Sequence, residues 1–196
     1  MSTRNTMLRS MHDVGLAAWF GGSLMGAVGL NGAARDEGGT RAATARIASS
    51  GWARWTPVNA AAIAVHLFGS GGLLAVNAPR VAAQQGVAAS TLAKSVLTGA
   101  ALAATAYSRV LGKKIELASS SDPQDAEKAA KHPVDTDRAQ RHLAFMQWAV
   151  PAVTGGLVIL NALHGEQQRP TEQFHGMWER ARSLAPHMTS HGHFLH

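Results

Sequence analysis

Residues 11–34 read MHDVGLAAWFGGSLMGAVGLNGAA, and from Val14 to Ala34 they carry no charge. A helix rises about 1.5 Å per residue, so about 20 apolar residues cross the roughly 30 Å hydrocarbon layer of a bilayer. The 21 residues Val14–Ala34 meet that length. Trp55–Pro79, 25 residues, holds His66 as its one ionisable group, and Leu143–Leu163, 21 residues, holds none. Val87–Tyr107 is Ala-rich and carries Lys94 near one end, where a long side chain can snorkel to the headgroups. The pattern predicts an all-α chain, an integral membrane four-helix bundle with spans about 12–33, 55–77, 87–108 and 142–163.

A soluble bundle is the competing reading. Mean hydropathy is only −0.04, but Ala, Gly and the polar connections lower that average. A soluble surface helix needs a polar stripe along its whole length, and the first and fourth segments have none. The first segment also exceeds the ~7–15 apolar residues of a secretory signal and lacks a clear cleavage site.

At 196 residues the chain has the length of one domain. It contains no cysteine, which excludes disulfides, thiolate ligands and a cysteine nucleophile. The net charge of +6 comes from 13 Arg and 5 Lys set against 12 acids. Those cations lie in connections beside apolar segments, where anionic lipid headgroups are the expected partner rather than nucleic acid. The connections 35–54 and 109–141 together hold 11 Lys and Arg, against 6 for the N-terminus, the 78–86 connection and the tail. Positive charge stays inside, so a cell-membrane, multi-pass topology with both termini outside is expected. The Ala, Gly and Arg usage suggests a high-GC bacterial genome.

Residues 35–54 read as a polar connection and 109–141 as a charged loop. Within that loop Asp122 is a plausible N-cap for a short solvated helix at Pro123–Lys131. Pro57 falls in the first turn of the second span, and Pro151 should kink or loosen the fourth. In the 166–196 tail, Phe174, Met177, Trp178, Ala181 and Leu184 recur at helical spacing after Thr171. That is the pattern of a C-terminal amphipathic helix on a membrane surface or on a partner.

Two stretches repeat: SGGLLAVNA at 70–78 and TGGLVILNA at 154–162. They make the chain two parallel helical hairpins. Gly71, Gly72, Gly155 and Gly156 allow close backbone approach, and Asn77 and Asn161 are expected to bond across helices. Gly15, Gly22, Gly26 and Gly29 supply a similar small-residue face on the first helix.

His66 is the leading candidate for chemistry, because an ionisable group near mid-membrane is costly. A neutral imidazole there can ligate haem iron, pass a proton or bond a quinone. Met25 is the candidate second ligand, since His142 and His164 mark the ends of the fourth span. His12 is the candidate metal residue. The alternative for each is a structural role: His66 bonded to a neighbouring helix, His12 and Asp13 solvated at the interface. His187, His191, His193 and His196 in the tail have metal-binding spacing without a supporting shell. Catalytic signatures such as G-x-S-x-G, H-E-x-x-H or a phosphate loop are absent.

His12, Trp19, Gly21 and Gly22 spell H-x6-W-x-G-G. This resembles the first helix of copper-resistance D-type membrane proteins and related small bacterial membrane proteins of unknown function. The resemblance covers about 15 residues and implies a membrane helix with a boundary histidine, in a family linked to copper handling. Two functions are therefore expected. The first is a structural or accessory subunit that packs against other membrane proteins or copies of itself. The second is a redox or metal-handling protein with a haem, quinone or copper site around His66 and His12.

Overall fold

The computed structural model describes residues 3–83, 85–120, 122–131, 133 and 135–167. Helix accounts for 96% of it, without strands. The elements are α1 (Thr3–Met25), a π-helical turn (Gly26–Leu30), α2 (Asn31–Gly38), α3 (Arg41–Ala83), α4 (Gln85–Ala118), α5 (Pro123–Lys131) and α6 (Thr136–Gln167). Four stretches are long and apolar enough to cross a membrane: Asn5–Gly38, Arg41–Pro79, Val87–Ser119 and Thr136–Leu163. The described residues up to Val158 form one unit. Those from Ile159, Asn161 among them, belong to a second. The predicted C-terminal amphipathic helix and the tail histidines lie outside the described residues.

The helices are longer than the apolar runs. Residues 35–54, read as a connection, are helical except for a turn at Gly39 and Thr40. Arg and Ala favour helix regardless of hydropathy, so polarity ends the membrane contact and not the helix. Gly39 ends it, at φ +63°, a conformation that glycine adopts without a Cβ penalty. Pro57 consequently sits well inside α3 and not in a first turn. The 109–141 loop shrinks likewise, because α4 continues to Ala118 and α6 starts at Thr136. Between them Asp122 Oδ1 accepts from the Gln124 N–H at 2.8 Å and opens α5, an N-cap of the expected kind.

Antiparallel packing of α1 and α2 on α3 is recorded by the glycines. A Cβ on Gly15 would meet the backbone of Ala62 and His66, and one on Gly69 the backbone of Leu8 and His12. Gly72 lies against the Leu8 side chain, Gly22 against Trp55, Gly26 against Trp52, Gly51 against Leu30 and Gly38 against Thr44. Between lipid-facing helices no hydrophobic force drives association, so close van der Waals packing has to supply it. Glycine provides that closeness at both backbone-to-backbone positions.

Leu16, Trp19, Ala101, Val150 and Leu157 form the core where α1, α4 and α6 meet. A second cluster, Leu111, Ile115 and Ala139 with Leu143 against it, clasps α4 to α6 near α5. Not every glycine assigned to packing packs. Gly29 meets only Met25 of its own stretch, at 3.6 Å, and Gly71 and Gly156 meet nothing within 4 Å. Gly155 touches Phe20. Asn77 does not bond across helices: its Nδ2 donates to Leu73 O of its own helix at 2.7 Å, because the side chain reaches the preceding turn more readily than a neighbour.

Candidate functional site

His12 lies well inside α1, because the helix starts at Thr3. His66 lies on α3 one turn beyond Ala62, whose carbonyl faces Gly15. The glycine contacts at Gly15 and Gly69 draw the two backbones together on either side of this level. The result is a close pair of rings: the imidazoles of His12 and His66 have centroids 4.5 Å apart and tilt by 46°. Trp19 stands next to them, 6.2 Å from the His66 ring.

The hydrogen bonds set the tautomers. His66 Nδ1 lies 3.0 Å from the His12 carbonyl oxygen. A carbonyl only accepts, so the proton sits on Nδ1 and Nε2 keeps its lone pair. His66 is 1% exposed, and its Nε2 is buried with no hydrogen-bond partner. His12 Nδ1 lies 2.8 Å from Asp13 Oδ1, so it too carries the proton, and Nε2 is the ring's remaining nitrogen. An unpaired buried polar atom costs about 1–3 kcal/mol, so the orphaned His66 Nε2 is the costly feature of this pair.

Met25 is not part of this arrangement. It is 59% exposed and lies ten residues, about 15 Å by helical rise, beyond Gly15, which faces His66. The sequence placed it at matching depth by assuming that α1 began near His12. A haem between the two imidazoles does not fit either, since α1 and α3 touch backbone to backbone at Gly15 and leave no space for a macrocycle. His142 is engaged elsewhere, 2.8 Å from the Tyr107 hydroxyl. Among the described residues no group of three or more His, Cys, Asp or Glu could hold a metal ion.

A cavity of about 290 Å³ lies among α1, α3, α4 and α6, lined by Ser23, Trp52, Trp55, Asn59, Thr105, Arg109 and Gln147 among others. Its polar wall is a relay: Trp52 Nε1 donates to Asn31 Oδ1 at 3.0 Å, and Asn31 Nδ2 donates to Gln147 Oε1 at 2.9 Å. Asn31 reaches both because the π-helical turn ends at it, its N–H bonding to the Gly26 carbonyl; such turns are frequent at functional sites. Trp19 Nε1 donates to Thr105 Oγ1 at 3.2 Å. Sequence reasoning missed these residues. One signal was present: Trp52, Trp55 and Asn59 are spaced 3 and 4 apart, on one helical face.

The fold and these side chains define a class, a four-helix membrane bundle with a close histidine pair, one ring of it buried, and a cleft between its helices. Compared with protein-family models, with curated proteins and with solved structures, the chain matches none.

Proposed function

We propose that this chain is a metal-handling protein of the cell membrane that binds a copper(I) ion between His12 and His66. One observation carries the proposal. Both imidazoles have Nδ1 held by an oxygen, the Asp13 carboxylate for one and a backbone carbonyl for the other. Metal-ligating histidines are oriented by that same pair of outer partners. Two nitrogens bound at about 2.0 Å to one ion stand at most ~4 Å apart, a separation that rings with centroids 4.5 Å apart reach by small rotations. Rings this close would hold the ion at a bent angle, and copper(I) is satisfied by fewer donors than the four that structural zinc asks for. The ion is cargo in this reading, and His66 Nε2 and His12 Nε2 are its holders. The excess of Lys and Arg in 35–54 and 109–141 supports placing those segments on the cytoplasmic side and the histidine pair toward the outer face.

The test is copper(I) competition against bicinchoninate on the full chain in detergent, with the four tail histidines replaced by alanine to remove adventitious sites. One copper per chain is expected. His66→Ala or His12→Ala should abolish it, and Asp13→Asn should weaken it by about 10–100-fold. Equal copper on the His66→Ala chain, with helix content unchanged by circular dichroism, refutes the proposal.

A second reading, an accessory subunit, has an observation of its own. In each repeated Gly-Gly pair one glycine packs internally, Gly72 or Gly155, while Gly71 and Gly156 have open space beyond them. Faces of that kind suit close approach by another membrane helix or a second copy of this chain.

A further inference from the structure

The cleft among α1, α3, α4 and α6 is a separate matter from the histidine pair, since neither His12 nor His66 lines it. Its lining runs from Ser49 to Ile63 on α3 and from Leu102 to Gly112 on α4, about 21 Å and about 15 Å by helical rise. Half of a bilayer's hydrocarbon is about 15 Å deep, so the cleft is about one leaflet tall. Ile63, Leu102 and Val150 line its deep end, toward the middle of their apolar stretches. Ser49, Trp52, Arg109 and Gly112 line the other end, outside the apolar stretches Trp55–Pro79 and Val87–Tyr107. Tryptophan marks the headgroup level of a membrane protein, and long cationic side chains reach to it.

Apolar surface dominates the walls, and Ala60, Ala106 and Arg109 on them are exposed, so the cleft is open to what surrounds the bundle. Its volume of about 290 Å³, spread over that height, leaves a cross-section of about 15–20 Å². That is room for one hydrocarbon chain and too narrow for a helix of about 10–12 Å diameter.

At its headgroup end the cleft adjoins a polar pocket of about 170 Å³, which shares Ser49 with it and is lined by Arg46, Glu116, Ser119, Ser120 and Asp125. Both acids there have a lysine partner: Glu116 Oε1 lies 2.8 Å from Lys113 Nζ, and Asp125 Oδ1 lies 3.5 Å from Lys128 Nζ. Arg46 and Arg109 have no ion-pair partner among the described residues. The uncompensated charge at this end is therefore positive. A guanidinium takes phosphate oxygens in its fork of donors.

We propose that the cleft holds one acyl chain of an anionic phospholipid, with the headgroup phosphate at Arg109 and the rest of the headgroup toward the Arg46 pocket. The height of one leaflet, the single-chain width and the positive end beside a polar pocket suit an amphiphile that enters from the headgroup level. A second copy of the chain or a partner helix does not match that width.

Trp52 and Trp55 line the cleft and report on its occupant, because bromine quenches an indole only near contact. The full chain, with Trp148 and Trp178 replaced by phenylalanine, is reconstituted in phosphatidylcholine vesicles that contain a rising small fraction of phosphatidylglycerol brominated on its acyl chains. Trp19 is fully buried and supplies a constant background. A saturating loss of fluorescence, one lipid per chain, is expected, with a preference over equally brominated phosphatidylcholine of about fivefold for each arginine engaged. Arg109→Gln should lose about fivefold of that preference. Ala60→Phe, which puts a ring into the open cleft from an exposed position, should remove the saturating component with helix content unchanged. Equal quenching by the two lipids overturns the proposal, and so does a preference that survives Arg109→Gln combined with Arg46→Gln. Saturating quenching that survives Ala60→Phe overturns it too, since charge alone would then gather the lipid at the protein surface. If neither lipid quenches, another protein or a second copy covers the cleft and the proposal fails. Copper binding by the histidine pair is decided independently of these results.

Discussion

Substituting alanine for Gly15 puts the packing argument at risk in a measurable way. The new Cβ would stand 2.5 Å from the His66 nitrogen, 2.6 Å from the Ala62 oxygen and 2.9 Å from the His66 Cα. Ordinary contact begins near 3.4 Å, so α1 and α3 must part by about 1 Å. These neighbours are backbone atoms and cannot rotate aside. Overpacking costs about 1–3 kcal/mol, and the upper end applies, because a gap of that size also forfeits a quarter to a half of each attraction along the hairpin. Alanine returns about 1 kcal/mol of helix propensity. The net loss is about 2 kcal/mol, roughly a 30-fold shift in the unfolding equilibrium. Gly21→Ala is the control, since nothing lies within 4 Å of its added methyl; it should keep the propensity gain. The assay is unfolding of the detergent-solubilised chain by increasing mole fraction of dodecyl sulfate, followed by circular dichroism. If Gly15→Ala unfolds no earlier than Gly21→Ala, the hairpin is not held by backbone contact at this level. The same parting would separate the histidine rings, so copper affinity should fall with stability in Gly15→Ala and not in Gly21→Ala.

Asn31→Leu removes both ends of the Trp52–Asn31–Gln147 relay. Interhelical hydrogen bonds in membranes average ~0.6 kcal/mol, so a loss of about 1–2 kcal/mol is expected in the same unfolding assay, and an unchanged midpoint would mean the relay is not structural. Outside the spans, the Ser120 hydroxyl foremost and Lys128 after it hold the Asp125 carboxyl below its ordinary value. A depressed carboxylate stabilises the fold above its unfolded pKa of ~3.9 and ceases to do so as pH falls through the lower folded value. The α5 region should therefore hold through mildly acid pH and loosen only below ~3.9. A carboxyl titration by NMR with its midpoint at the ordinary value, or unmoved by Ser120→Ala, contradicts this.

The four long helices were legible because length and the absence of charge are one-dimensional quantities. Val14–Ala34 and Leu143–Leu163 announce spans without reference to anything else in the chain. The α5 helix was legible for a similar reason: Asp122, Pro123 and the charges that follow act within one turn. Polarity misled where it was taken for a loop. Arg41, Arg46 and Arg54 leave the bilayer but not the helix, and only Gly39, with its positive φ, breaks the chain between α2 and α3.

The candidate site was half legible. His66 stood out because ionisable groups inside an apolar run are expensive. His12 was named with it, but as the end of a helix that in fact begins at Thr3, so the contact between the two rings was not foreseen. Met25 was preferred on a depth counted from the wrong origin.

By itself, the sequence determined that the chain forms long apolar helices and that small residues let them approach closely. Only the tertiary structure decided which glycine meets which backbone. Gly15 against Ala62 and His66, and Gly69 against His12, set the register of α1 on α3. That register brings two imidazoles together across 54 residues of chain and turns Gly22 and Gly26 into seats for Trp55 and Trp52. Helix composition is a sum over local terms. Register is a choice among whole-helix offsets, made by backbone contacts that exist only once both helices are in place.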